Sequence, residues 1–290
     1  MHLKAIEFPA GVSCGAFSSN RKEKKMILAV DVGNTNIVMG CIDEEKIYFV
    51  ERAATDIAKT ELEYAIQIKT VLELYGIEMN KIQGAIISSV VPPLVNIIKK
   101  AIAKIVNVKQ LVVGPGIKTG LNICMDNPGQ VGSDLVVDAV AGISYYGAPL
   151  VIIDMGTATT ISVIDEKKNY IGGMIFPGVK VSLESLVAKT SQLPRISLEA
   201  PKRTIGKNTI ECMKSGMVYG QASCLDGMIE RIEEELKLQT TVIATGGLAK
   251  EIVPHCKHKV IVDDELALKG LKIIYDKNIE ESQHKQKGNN

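Results

Sequence analysis

The chain has 290 residues, 46% of them hydrophobic, with 34 basic and 33 acidic side chains and a net charge of +1. That balance provides no electrostatic footprint for nucleic acid or an anionic membrane. With 4% aromatic residues and no Trp, stacking platforms for single strands are also excluded.

Residues 1–25 contain Gly, Ser and Asn and end in a basic cluster just before Met26. Their charges do not precede a longer apolar stretch, so they read as a flexible extension or a misassigned start and not as a signal peptide. Apolar runs at 27–32, 36–42 and 46–53 predict three strands joined by short turns. Leu62, Ile66, Val71 and Leu74 lie at helical spacing after Thr60 and before Gly76, predicting a helix over 60–75. A strand at 84–90 follows, then a helix opened by Pro92 and Pro93 and running to Ile105, then a short strand at 111–113. Residues 132–146 predict a bridging helix.

From Leu150 the order repeats. Strands are expected near 150–155, 159–165 and 169–175, helices near 178–188 and 208–237, and a strand at 241–245. A helix near 247–252, a strand at 259–262 and a last helix from Asp264 complete the pattern, before a polar tail at 277–290. Mixed sheets flanked by helices are an α/β architecture. The repetition divides the chain into two related domains, 26–131 and 132–276. The six cysteines form no CxxC pair, and no apolar run reaches the length of a membrane span. A disulfide framework or structural zinc site is therefore not expected, and a reducing cytoplasm fits.

The duplication is sharpest at two turns. ILAVDVGNTNIVMGCID from Ile27 and LVIIDMGTATTISVID from Leu150 each run a strand into Asp-x-Gly and on into a second strand. In the first turn, Asp31 to Asn36, Gly33 permits close approach of a phosphate, and Asn34 and Thr35 supply donors. Asp31 cannot face phosphate directly, but it can hold hydrated Mg²⁺ through water. One such turn is equally well a plain hairpin with an Asx-type bend. A second, hydroxyl-rich copy from Asp154 to Thr160 makes coincidence the weaker explanation. Further on, Gly132-Ser133-Asp134 opens an apolar helix, where Ser133 or Asp134 reads either as a cap or as a functional carboxylate beside N–H groups. Asp138, one turn later, reads as structural, hydrogen-bonding a neighbouring loop. Thr245-Gly246-Gly247 is either a ligand turn or a glycine helix start. Gly114, Gly116 and Gly120 lack dinucleotide-binding spacing, and His255, Cys256 and His258 read as a solvated loop.

The paired turns resemble the sugar kinase, acetate kinase and actin superfamily, whose two ribonuclease-H-like domains clamp ATP between them. DVGNTN with DMGTATT resembles the type III pantothenate kinases in particular. Supporting motifs are TGLNI at 119–123, DNPGQVGSD at 126–134, GGMIFPGV at 172–179, LPR at 193–195, IGKNT at 205–209 and ATGG at 244–247. The likeness runs from about Met26 to about Asp276. It implies ATP-dependent phosphorylation of pantothenate to 4'-phosphopantothenate, the first step of coenzyme A biosynthesis. It also implies Mg²⁺, a monovalent cation (K⁺ or NH₄⁺), and a cytoplasmic homodimer with acceptor sites at the subunit interface.

Carried over by position, Asp31, Gly33, Asn34, Thr35, Asn36, Gly156 and Thr157 would surround the phosphates. Asp31 would hold Mg²⁺ through water, and Asp154 the monovalent cation. Thr245, Gly246 and Gly247 would approach the adenosine end. Gly132, Ser133 and Asp134 would bind pantothenate, with Asp134 the general base, and Thr209 would reach the acceptor from the second subunit. Two acceptor positions depart from the family pattern: Leu135 replaces an Arg and Met125 a Tyr. Arg195, Lys180 and Lys207 are candidates to compensate. A kinase of the same fold with a different small hydroxyl acceptor, and a non-catalytic nucleotide-binding regulator, are the alternative readings.

Overall fold

The computed structural model describes residues 25–287. The expected N-terminal extension, apart from Lys25, lies outside the described residues. The first half comprises β1 (Met26–Val32), β2 (Asn36–Ile42), β3 (Glu51–Ala54), α1 (Glu61–Leu74), β4 (Ile82–Ser89), α2 (Pro92–Ile105) and β5 (Lys109–Val112). Helix α1 starts on a capping box in which Thr60 and Glu63 satisfy each other's backbone N–H. Helix α2 starts on Pro92 and Pro93, where the missing N–H costs nothing. β1 pairs antiparallel with β2 and parallel with β4, giving the sheet order β3-β2-β1-β4-β5.

The second half comprises β6 (Asn122–Ile123), α3 (Ser133–Tyr146), β7 (Leu150–Met155), β8 (Ala158–Ile164), β9 (Asn169–Pro177), α4 (Val179–Ala188) and α5 (Thr209–Leu236). β10 (Thr241–Thr245), α6 (Ala249–Ile252), β11 (Ile261–Val262) and α7 (Leu266–Lys287) complete it. Its sheet order is β11-β10-β7-β8-β9-β6. Without the two-residue β6, the run β9-β8-β7-β10-β11 reproduces the first sheet strand for strand. The duplicated turns thus belong to a duplicated sheet.

The two-residue β6 has no counterpart among the expected elements, and two expected stretches differ in extent. The strand expected over 46–53 is confined to β3 and a single bridge between Ile42 and Ile47. The reason is Asp43, whose carboxylate accepts from the backbone N–H of Glu45 and Lys46 and from the Tyr48 hydroxyl, curling the chain into a turn. At the other end, α7 continues to Lys287 through the stretch expected to be a polar tail. Polar side chains there tie down the 118–119 loop: Lys277 Nζ and Asn278 Nδ2 donate to the Thr119 and Lys118 carbonyls.

Helices α1 and α2 cover the outer face of the first sheet, packing Tyr64, Ile68, Leu72, Leu94 and Ile98 against Leu28, Val30 and Ile37. Helix α5 covers the outer face of the second sheet, with Val218, Ala222, Leu225 and Ile229 against Val151 and Ile153. Between the sheets lie α3 and α7. Val137 and Val140 of α3 and Leu268, Leu271 and Ile274 of α7 pack on Ile27, Ala29 and Ile86 of the first sheet. Ala139 and Ala141 of α3 and Leu266 of α7 pack on Leu150 and Ile152 of the second. Strand side chains alternate between faces. Asp31 therefore shares the inner face with Ile27 and Ala29, and Asp154 shares it with Leu150 and Ile152.

The two inner helices approach each other at Gly270. A methyl group there would overlap the Val137 carbonyl oxygen and lie 2.8 Å from its carbon. Neither backbone can yield without moving a sheet. Gly270→Ala is accordingly expected to destabilise the protein by about 1–3 kcal/mol, measured as a lowered urea midpoint. An unchanged midpoint would show that the helices separate freely.

Candidate active site

The inner faces of both sheets and the N-terminal end of α3 enclose a cleft of about 200 Å³. Its walls include Asp31, Gly33, Asn34, Thr35 and Asn36 from the first turn and Asp154, Gly156 and Thr157 from the second. Thr245, Gly246 and Gly247 close one end, and Asp134 reaches in from α3. The turns touch: Thr35 Oγ1 and Thr157 Oγ1 are 2.6 Å apart in a hydrogen bond across the cleft. The two acidic turns therefore converge on one space.

Local bonding sets each turn. Gly33 N–H donates to the Asn36 carbonyl, and Thr55 Oγ1 and N–H donate to the Gly33 and Thr35 carbonyls. In the second turn Gly156 N–H donates to the Ala158 carbonyl, and Gly178, the N-cap of α4, donates to that of Thr157. Gly246 has φ +91°, and a Cβ on it would lie 2.5 Å from Asp154 Oδ1 and 2.6 Å from Met155 N. Only glycine lets that turn seat against the second acidic strand end.

Asp134 is not a helix cap. Gly132 is the N-cap of α3 and makes no side-chain capping bond, while Asp134 stands one residue inside the first turn. Its Oδ1 accepts from Leu135 N–H at 2.8 Å. Ser133 fixes the helix start in space. Its hydroxyl accepts from Ser88 Oγ and Ser89 N–H and donates to the Ser89 carbonyl, clasping α3 to the end of β4.

Asp138 requires a correction. It is 6% exposed, yet its Oδ1 has no hydrogen-bond partner among the described residues, and it lines the cleft and bonds no neighbouring loop. Being four residues after Asp134, it projects from the same side of α3. Four carboxylates thus line one cleft, and burial raises all of them. Asp31 is pushed up to about 7, by burial first, against the Ser88 hydroxyl, and further by the charges of Asp134 and Asp154. Asp154 is pushed up to about 6 by burial and Asp134, with Arg52 opposing. Asp138 is raised by burial and by Asp154, Asp31, Asp134 and Asp263. Asp134 is raised by burial against backbone N–H groups.

The expected acceptor residues sit next door. Met125, Leu135, Tyr170, Met174 and Ile175 line a cavity of about 370 Å³ that shares Thr160 with the cleft. None of the residues lining it is basic. Lys180 and Arg195, candidates to supply a charge, instead line a separate cavity of about 710 Å³ beside Leu248. The backbone of Lys207 bonds Glu211 ahead of α5. Thr209 is exposed at the start of α5 and lines neither the cleft nor the acceptor cavity. Sequence reasoning missed Arg52 and Thr160. Thr160 was visible in the hydroxyl run of the second turn, and its buried Oγ1 lacks a partner. Arg52 had no motif around it.

The raised acids have a consequence for stability. Below about 4, folded and unfolded chains both hold these protons. Between about 4 and about 7 the unfolded chain ionises first, so stability falls as pH rises through the folded value of Asp31. Asp31→Asn is expected to flatten this slope in urea titrations of ligand-free protein. An unaltered slope would remove Asp31 as its source.

A family profile described as type III pantothenate kinase matches residues 27–231. A type III pantothenate kinase from Bacillus cytotoxicus is 48% identical over 253 residues, covering 87% of this chain and 97% of its own length. Among solved structures, the activator of 2-hydroxyisocaproyl-CoA dehydratase from Clostridium difficile with bound ADPNP superposes with a TM-score of 0.54. It is 13% identical and covers 91% of this chain and 97% of that one. A Campylobacter jejuni protein described as a Baf family transcriptional activator has a TM-score of 0.53 at 20% identity, covering 88% of this chain and 100% of that one. At these identities the structures show the shared fold alone, a mixed α/β fold with two sheets flanked by helices.

Proposed function

We infer that this chain, which belongs to the type III pantothenate kinase family, transfers the γ-phosphoryl group of ATP to the hydroxyl of pantothenate, the first step of coenzyme A biosynthesis. The observation that carries the mechanism is the convergence of both acidic turns and Asp134 on one cleft. Phosphoryl transfer asks a protein mainly for positioning and charge stabilisation. Gly33, Asn34, Thr35, Asn36, Gly156 and Thr157 would hold the polyphosphate through backbone and side-chain donors. Thr245, Gly246 and Gly247 would face the adenosine end.

Asp134 accepts the proton of the acceptor hydroxyl as that oxygen bonds the γ-phosphorus and the bond to the ADP oxygen breaks. Burial raises its affinity for that proton, which suits a general base near neutral pH. Ser133, clasped to β4, keeps the carboxylate aimed, and Gly132 leaves the approach open. Met125, Leu135 and Thr160 would line the acceptor. The apolar wall of that cavity suits the gem-dimethyl portion of pantothenate.

The donors around the cleft are oxygen atoms, which suit hard cations. Among the described residues no three His, Cys, Asp or Glu side chains gather closely enough to cage a metal. Mg²⁺ would therefore be held by Asp31 through water, and a monovalent cation (K⁺ or NH₄⁺) by Asp154. These ions would neutralise phosphate charge. Exposed Ile175 at the acceptor cavity, and Ile205 and Ile210 flanking Thr209, support a homodimer in which Thr209 serves the partner's acceptor. No helix among the described residues is long and apolar enough to cross a membrane. The five described cysteines are free, which fits a cytoplasmic enzyme.

ADP release is expected to require pantothenate and to rise when K⁺ or NH₄⁺ is added. Turnover with another hydroxyl acid but not with pantothenate would reject the acceptor. Tight ATP binding without acceptor-dependent ADP release would instead favour a regulator. Asp134→Asn is expected to lower kcat by about 100-fold or more while thermal stability persists; near-normal turnover would remove the general-base role.

A further inference from the structure

One cation enters the carboxylate-lined cleft, and none of the motifs contains it. Arg52 lies on β3, the edge strand of the first sheet, and its position there follows from register. Asp31 on β1 stands opposite Val38 on β2, and Val38 stands opposite Arg52 on β3. Residues directly opposed across antiparallel strands project from the same face. Arg52 therefore shares the inner face with Asp31, and all three of these residues line the cleft.

The duplicated sheet has no equivalent. There the corresponding row runs from Asp154 to Thr160 to Ile175. The asymmetry gives the cleft a single guanidinium, contributed by the first half and directed at the second.

Its surroundings leave that guanidinium available. A Cβ on Gly247 would lie 3.0 Å from Arg52 Nη1, so the group rests against the bare backbone of the 245–247 turn. No hydrogen bond or ion pair among the described residues engages it. Asp264, another carboxylate on the rim, is held by Lys250. The guanidinium is near enough to Asp154 to oppose the rise of its pKa, without forming an ion pair. An unpaired, forked donor at the junction of two phosphate-type turns matches the geometry of a polyphosphate oxygen pair.

We propose that Arg52 binds the polyphosphate tail of the nucleotide, bridging from β3 of the first sheet to the 245–247 turn of the second. The proposal rests on the reading of the cleft as the ATP site. Arg52 then has two effects. It supplies the fixed positive charge that four carboxylates otherwise deny the phosphates, and it makes retention of the tail depend on both halves of the molecule together.

The test is calorimetric binding of ADP and of adenosine to the full chain, alongside steady-state ATP kinetics. Arg52→Gln is expected to weaken ADP binding by about 10- to 100-fold, to leave adenosine binding unchanged and to raise KM for ATP. Arg52→Lys, which keeps charge but not the fork, is expected to fall between. If the Gln variant does not fold, the Lys variant alone carries the comparison. Equal losses for ADP and adenosine, or no loss for ADP, would overturn the role of Arg52 while leaving the ATP reading intact. Wild-type protein that binds no ADP would overturn both.

Discussion

The close contact between α3 and α7 is the constraint on which the arrangement depends. The two helices fill the space between the sheets, each helix packing on both, and they meet at Gly270 with no side chain between the backbones. That spacing decides how far apart the duplicated turns lie. It also decides where the first turn of α3 points, because Ser133 pins that turn to β4. A looser helix pair would move Asp134 relative to both acidic strand ends, and positioning is most of what phosphoryl transfer requires of a protein.

Electrostatics sets the second condition. Asp31, Asp134, Asp138 and Asp154 line one cleft; burial makes ionisation of each harder, and Asp31, Asp138 and Asp154 are raised further by neighbouring carboxylates. Such a cluster is unfavourable by itself and becomes favourable when cations and donors balance it. The cleft has the matching elements: hydroxyls on both turns, backbone N–H groups at the start of α3, and the guanidinium of Arg52. Strain of this kind belongs at a functional site, since packing alone would select an apolar residue at position 138.

The architecture is also asymmetric in a useful way. Strand order and turn placement repeat, but the second turn, Gly156–Thr157, is shorter than Gly33–Asn34–Thr35, and only the second sheet leads into the cavity proposed for the acceptor. The two copies share a strand order and differ in the residues they bring to the cleft. The cavity proposed for the acceptor lies on the second copy alone, with Met125 and Leu135 in its wall.

Much of this was legible in the residues themselves. The strands, most helix limits and the pairing of Asp31 with Asp154 follow from apolar periodicity and from a repeated Asp-x-Gly, which are local signals carried by neighbouring positions. The β3 boundary and the extension of α7 were not legible, because the Asp43 turn and the 118–119 loop draw their bonds from side chains whose targets periodicity does not encode. Asp138 was visible but misread, since four-residue spacing places it beside Asp134 without revealing that its Oδ1 finds no hydrogen-bond partner among the described residues. Arg52 was invisible altogether. Its role depends on register across three strands and on contact with a turn nearly two hundred residues further along. Sequence by itself determined the elements and the duplicated acidic turns; only the tertiary structure decided which charges meet, because charge interactions depend on distance through space and burial, and neither is a property of the chain read in order.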